Sequence, residues 1–208
     1  MSTTMCGTTG HGRGTVGRSL RSTMLALVMC SFISPLAAQQ PARSGFGMSF
    51  GLGWGSAGVT CEDCDIEIED RTEGLAGYVR IGGNVNARLF VGVEGIGWLK
   101  NSDGLERRIA AVSLVTVGYP SATAGFFVRG GFGGVRAVIE DAIFSVTGEG
   151  LSWQIGAGFD IPMGAGAALT PYVTYLNSSN VTAHLNEVSL GTNLNPNILL
   201  AGLAITVR

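Results

Sequence analysis

From Gly45 to Trp54 every second residue is bulky and apolar. Phe46, Met48, Phe50, Leu52 and Trp54 share one parity; Gly45, Gly47, Ser49, Gly51 and Gly53 share the other. Period two marks a β-strand, because successive side chains point to opposite faces. The pattern recurs along the chain. Leu75, Val79 and Ile81 oppose Tyr78 and Arg80. Leu89, Val91 and Val93 oppose Arg88, Phe90, Gly92 and Glu94. A fourth run spans about Ile109 to Tyr119, with two faces that are hard to tell apart. Phe126, Val128 and Phe132 oppose Arg129 and Gly131. Leu151, Trp153, Ile155, Phe159 and Ile161 oppose Ser152, Gln154, Gly156, Gly158 and Asp160. Leu169, Val173 and Tyr175 oppose Thr170, Tyr172 and Thr174. A last run from about Ile198 to Val207 carries Leu199, Leu203, Ile205 and Val207 on one side. The pattern predicts eight strands.

Two regularities decide what the strands build. The in-strand charges Arg80, Arg88, Glu94, Arg129 and Asp160 all share a face with Gly, Ser, Thr or Tyr, and none falls on a bulky apolar face. The connections alternate: 83–86, 120–124 and 162–166 read as tight turns, and 56–73, 100–108, 136–149 and 178–195 read as long polar loops. A soluble barrel hides its apolar face inside. Continuous apolar faces opposite charged ones fit strands that turn the apolar side to lipid and the polar side to a lumen. Lipid cannot satisfy an open sheet edge, so the sheet must close. The expected fold is all-β, an eight-stranded antiparallel transmembrane β-barrel. Trp54, Trp98, Trp153, Tyr119 and Tyr175, near strand ends, suit interfacial girdles.

Composition sharpens the picture. Charged residues make up 13% of the chain, against a usual share of about 25%, so charge is too scarce to cover an ordinary soluble surface. The 33 glycines, spread singly, speak against helices, where each costs about 1 kcal/mol relative to Ala. A net charge of −2 gives no electrostatic footprint for nucleic acid.

The first 38 residues read as a cleavable signal peptide. Arg13, Arg18 and Arg21 precede an apolar stretch from Met24 to Ile33, then Pro35 and the small-residue site Leu36-Ala37-Ala38. The expected domains are 1–38 (signal) and 39–208 (barrel). Gly12-Arg13-Gly14-Thr15-Val16-Gly17 matches a dinucleotide fingerprint, but no strand precedes it and no βαβ unit follows. Met29 is too large for the position before a lipidated Cys30.

From Phe46 to Arg208 the pattern resembles the small OmpA/OmpX-type outer-membrane barrels. Cys61-Glu62-Asp63-Cys64, followed by Gly77-Tyr78-Val79-Arg80-Ile81-Gly82-Gly83, resembles uncharacterised outer-membrane barrel proteins with a cysteine pair in the first long loop. The resemblance implies the bacterial outer membrane, insertion by the outer-membrane assembly machinery, contact with lipid and lipopolysaccharide, and both termini in the periplasm. Such barrels usually end in an aromatic residue; this chain ends Ile205-Thr206-Val207-Arg208.

Chemistry-bearing residues are few. Cys61 and Cys64 have a redox, a zinc and a disulfide reading. The redox site lacks its βαβ context, the zinc site has only His184 as a further candidate, and the oxidising compartment makes a disulfide the default. The stretch 62–70 holds six acids in nine residues and reads as a solvated acidic loop, without the spacing of an EF-hand. Arg80, Arg88, Glu94, Arg129 and Asp160 are expected to form a paired lumen network, since buried charges must be paired. A lipid-A-modifying enzyme would need a serine, a histidine and an acid. Ser178, Ser179, Glu187 and Ser189 lie near His184, but in or beside one predicted loop. The expectation is therefore no enzyme, no cofactor, no metal site and a monomer. The function expected is a structural or surface-interacting role through the outward loops. A narrow channel, suggested by the glycine-rich inner face, is the first alternative; the lipid-A enzyme is the second.

Overall fold

A computed structural model describes residues 43–61, 71–102, 105–140, 145–164, 166–185 and 188–208. The expected signal peptide, Cys64, the acidic stretch 62–70 and Glu187 lie outside the described residues. Nine strand segments follow one another: β1 (Gly45–Cys61), β2 (Thr72–Asn86), β3 (Leu89–Ser102), β4 (Leu105–Gly118), β5 (Phe126–Glu140), β6 (Ser145–Phe159), β7 (Ile161–Gly164), β8 (Ala167–Leu185) and β9 (Val188–Val207). Each pairs antiparallel with its neighbours. β6 and β7 both pair with β8, first to Gly158↔Tyr172 and then from Ile161↔Leu169. They are therefore one strand interrupted at Asp160. β9 returns to pair with β1 from Met48↔Val207 to Cys61↔Leu194. The result is a closed, eight-stranded antiparallel barrel.

The alternation read from the sequence is the in–out alternation of this barrel. Phe46, Met48, Phe50, Leu52 and Trp54 are all exposed, while Ser49 between them is buried. Leu75, Val79, Ile81, Val91, Val93, Phe126, Val128, Phe132, Leu151, Ile155, Leu203 and Ile205 continue the outward apolar belt. On β1 the belt covers the nine residues from Phe46 to Trp54, the length of about 9–11 that a tilted strand needs to cross a bilayer. The ambiguous fourth run resolves as well. Val112 and Leu114 face out, and Ile109, Ala111, Ser113, Val115 and Val117 face in. Its inner face is unusually apolar, and that is why the two faces looked alike.

Two expectations need correction. The stretches at 100–108, 136–149 and 178–195 are largely strand, with pairing that runs out to Ser102↔Leu105, Glu140↔Ser145 and Leu185↔Val188. β1 likewise continues to Cys61, and β2 begins at Thr72. Beyond the lipid belt the outer face no longer has to be apolar. The alternation fades there while backbone pairing continues. Trp98 and Tyr119 are not girdle residues either, because both are buried inside the bore. Trp98 has the parity of Glu94 and Ile96, and Tyr119 that of Val115 and Val117. Trp54 and Trp153 do face outward.

At the end of the barrel where the described chain begins and ends the connections are tight. The β2–β3 turn is Ala87-Arg88, later than the expected 83–86, which β2 continues through because its backbone still pairs with β3 up to Asn86↔Leu89. The β7–β8 turn uses Gly164 and Gly166 at φ +92° and +78°, a backbone region that a side chain rarely tolerates.

Candidate functional site

The inner face of the barrel is filled in layers. Midway along the bore stand Arg80 on β2, Glu94 on β3 and Arg129 on β5. The register brings the first two opposite each other, at Arg80↔Glu94. Glu94 Oε2 accepts from Arg129 Nη1 at 2.6 Å and lies 3.7 Å from Arg80 Nη1. All three residues are buried. Arg129 also donates to the Thr174 hydroxyl, and Arg80 Nη2 lies 3.4 Å from Ser49 Oγ, which itself bonds Thr206. The surplus cation in this trio is met by aromatic faces. The Arg129 guanidinium sits 4.4 Å from the Tyr78 ring centre, and that of Arg80 5.5 Å from Phe90. Tyr78 and Tyr172 meet edge to face at 4.7 Å across the bore.

A second cluster lies at the end where the described chain begins and ends. Asp160, at the break between β6 and β7, accepts from Thr170 Oγ1 at 2.7 Å and Tyr119 Oη at 3.0 Å, and pairs with Arg208. Arg208 Nη2 reaches the Tyr119 oxygen at 2.6 Å. Arg43 lays its guanidinium 3.7 Å from the centre of the Tyr119 ring and donates to the carbonyl of Ala122 at 3.0 Å. The two ends of the described chain are thus held at one buried tyrosine.

The five charges expected to form one network are therefore divided. Arg80, Glu94 and Arg129 come together. Asp160 belongs to the other cluster. Arg88 sits exposed in the β2–β3 turn, where its backbone N–H donates to Asn86 Oδ1 at 2.8 Å. Sequence reasoning missed Arg43 and Arg208, though parity could have found them. Arg43 continues the inward series of Gly45, Gly47 and Ser49, and Arg208 continues Ala204 and Thr206.

Several inner glycines are seats for large side chains. A Cβ on Gly51 would lie 2.5 Å from the Tyr78 ring and 2.9 Å from Tyr172. On Gly158 it would lie 2.5 Å from Phe127. On the β4–β6 wall, Ser113 Oγ, Ser152 Oγ and both amide atoms of Gln154 are buried without a hydrogen-bond partner among the described residues. Such atoms suit ordered water.

Above the charged layer the bore turns apolar. Tyr78, Ile96, Trp98, Ile109, Ala111, Val135, Leu176 and Ile198 belong to one buried cluster. Trp98 Nε1 donates to the Gly55 carbonyl at 2.9 Å. Past Trp98 the bore widens into a cavity of about 150 Å³ bounded by residues of all eight barrel strands, among them Ala57, Trp98, Ile109, Ala137, Val146 and Val181. Thr72 and Arg107 also line it, bonded to each other at 3.1 Å.

The residues weighed for hydrolytic chemistry do not form one loop. Ser178 and Ser179 lie in β8, with Ser178 buried and donating to the Pro196 carbonyl. The backbones of His184 and Ser189 pair across β8 and β9.

No protein-family model and no curated protein matches the chain. Solved structures do. Neisserial surface protein A shares 11% identity over 81% of this chain and 99% of that one, with a TM-score of 0.57. OprG from Pseudomonas aeruginosa shares 13% over 81% and 98%, with a TM-score of 0.47. The outer membrane protein AlkL shares 14% over 82% and 94%, with a TM-score of 0.45. By fold, the chain is a small outer-membrane β-barrel. For this outer-membrane barrel the apolar belt is the lipid contact, and the side chains of the bore are shielded from lipid.

Proposed function

We propose that the protein is a non-enzymatic surface barrel of the outer membrane: its bore is a structural plug, and the hairpins that outlast the lipid belt meet its partners. One observation carries this reading. Tyr78, Tyr172, Phe127 and the Arg80–Glu94–Arg129 trio pack across the bore, beneath strands that continue to Ser102↔Leu105 and Leu185↔Val188. An eight-stranded bore is just wide enough for its own side chains, and here they meet. That geometry favours the surface role over a channel. The test has two parts. In planar bilayers the protein should give no resolvable single-channel current. On intact cells a cysteine at the exposed Asn101 should react with a membrane-impermeant maleimide. Steady conductance, or a residue 101 reached only after lysis, would defeat the proposal.

The working unit on this reading is a monomer, inserted by the outer-membrane assembly machinery and bordered by lipopolysaccharide. Segment 1–38 is removed on export, and Cys61 and Cys64 form a disulfide. Intact-mass analysis of the purified protein checks both. The chain should begin at Gln39, and its mass should rise by two hydrogens on reduction.

A further inference from the structure

We propose that the hairpin end of the bore is a dead-end binding cup for a small apolar molecule, of the size of a substituted benzene or a short alkyl chain. This goes beyond the surface-presentation reading and does not depend on what the hairpins meet. Four observations support it.

The first is size. The cavity of about 150 Å³ is of the size that accommodates a molecule such as benzene, roughly 150 Å³ in an apolar protein cavity. The second is chemistry. Ala57, Val59, Trp98, Ile109, Ala137, Val138, Val146 and Val181 make its wall apolar, whereas the next polar layer down holds three charged side chains. The third is the shape of the wall. Ala57 and Ala137 put only a methyl group on it, and Gly148 seats Val181, whose Cγ1 would lie 2.7 Å from a Cβ there. The fourth is the floor. Trp98 is tied to the Gly55 carbonyl at 2.9 Å, and its indole rests against β1 and β2 so closely that a Cβ on Gly55 or Gly74 would lie 2.8 or 2.9 Å from it. On the inner side Trp98 shares one buried apolar cluster with Ile96, Leu176 and Ile198. A ligand enters and leaves by the hairpin end and is held, not passed through. Arg107, hydrogen-bonded to Thr72 at the wall, supplies a polar contact for a substituent on the ligand, and Arg108 lies on the same lining.

Trp98 is also the reporter. Trp54 and Trp153 face lipid, so Trp54→Phe/Trp153→Phe protein keeps a single indole, in the cup. In lipid nanodiscs, titration with bromobenzene should quench that indole along a saturable curve. Ala137→Phe, which projects a ring into the cup, should weaken apparent affinity at least tenfold. Val146→Phe, from the adjacent strand, should do the same. Retention of the heat-dependent gel shift certifies that each variant still folds, and a variant that loses it is replaced by Ala137→Leu. Bromobenzene also partitions into lipid, which quenches linearly and identically in all the proteins. Quenching that is only linear, or saturable with equal affinity in the filled variants, overturns the proposal.

Discussion

At the scale of single residues, the bore is held by groups that cannot be removed singly. Glu94 is fully buried and faces two guanidinium groups. Breaking such an arrangement by removing one partner costs about 3–5 kcal/mol, because a buried charge is left unmatched. Glu94→Gln should therefore lower the stability read from urea unfolding in lipid vesicles by an amount in that range. Adding Arg80→Met should recover part of the loss. An unchanged unfolding midpoint for Glu94→Gln would show that the trio is energetically idle. Gly51 makes the complementary case. Its Cβ would meet both Tyr78 and Tyr172, so Gly51→Ala should destabilise by about 1–3 kcal/mol, the range for overpacking, with a loosened Tyr78–Tyr172 contact in the aromatic NMR spectrum. Gly83 has open space instead, with no atom nearer than 3.9 Å, and Gly83→Ala is the matched control.

At the scale of elements, each strand has a lipid-facing part and a part beyond it, and the two obey different rules. Leu114 on β4 is 71% exposed to the belt. A charge on the lipid face near the middle of the bilayer costs about 2–4 kcal/mol, so Leu114→Arg should lower vesicle-folding stability by that order. Farther along the same strand, Arg108 bonds Glu106 through two contacts of 2.7 Å on an exposed face. Exposed pairs contribute about 0–1 kcal/mol, so Arg108→Ala should barely move the same measurement. Equal effects at the two sites would mean that the belt ends elsewhere than the exposed apolar residues indicate. This boundary also explains how much of each strand was legible. Alternation reports contact with lipid, and it marked 45–54 on β1 but not the continuation to Cys61.

At the scale of the whole molecule, the barrel is closed twice. β9 pairs with β1 along the seam, and the Asp160–Tyr119–Arg208 cluster ties the last residue to the β6–β7 break. Arg208 fastens that end from within the bore. Arg208→Ala should leave the strands intact but lower the temperature at which the folded band is lost in a heat-modifiability gel. Asp160→Asn should act in the same direction, and the double variant should be less than additive because both remove one contact. Strict additivity would argue against a shared clasp.

The division between sequence and tertiary structure follows from the range of the forces involved. Side-chain parity is a local property, and lipid on one side makes it visible. The sequence alone therefore determined that the chain is strands, that the bulky apolar parity faces out, and that Arg80, Glu94, Arg129 and Asp160 face in. It also held the inward parity of Trp98, Arg43 and Arg208, although the girdle reading of Trp98 passed over it. Only the tertiary structure decided which inward groups meet. That depends on register and on the stagger needed to close the ring, and both are set by all the strands at once. Register divided the expected five-charge network, left Arg88 outside it, seated aromatic rings on inner glycines where open space was a possible reading, and left an apolar cup above Trp98.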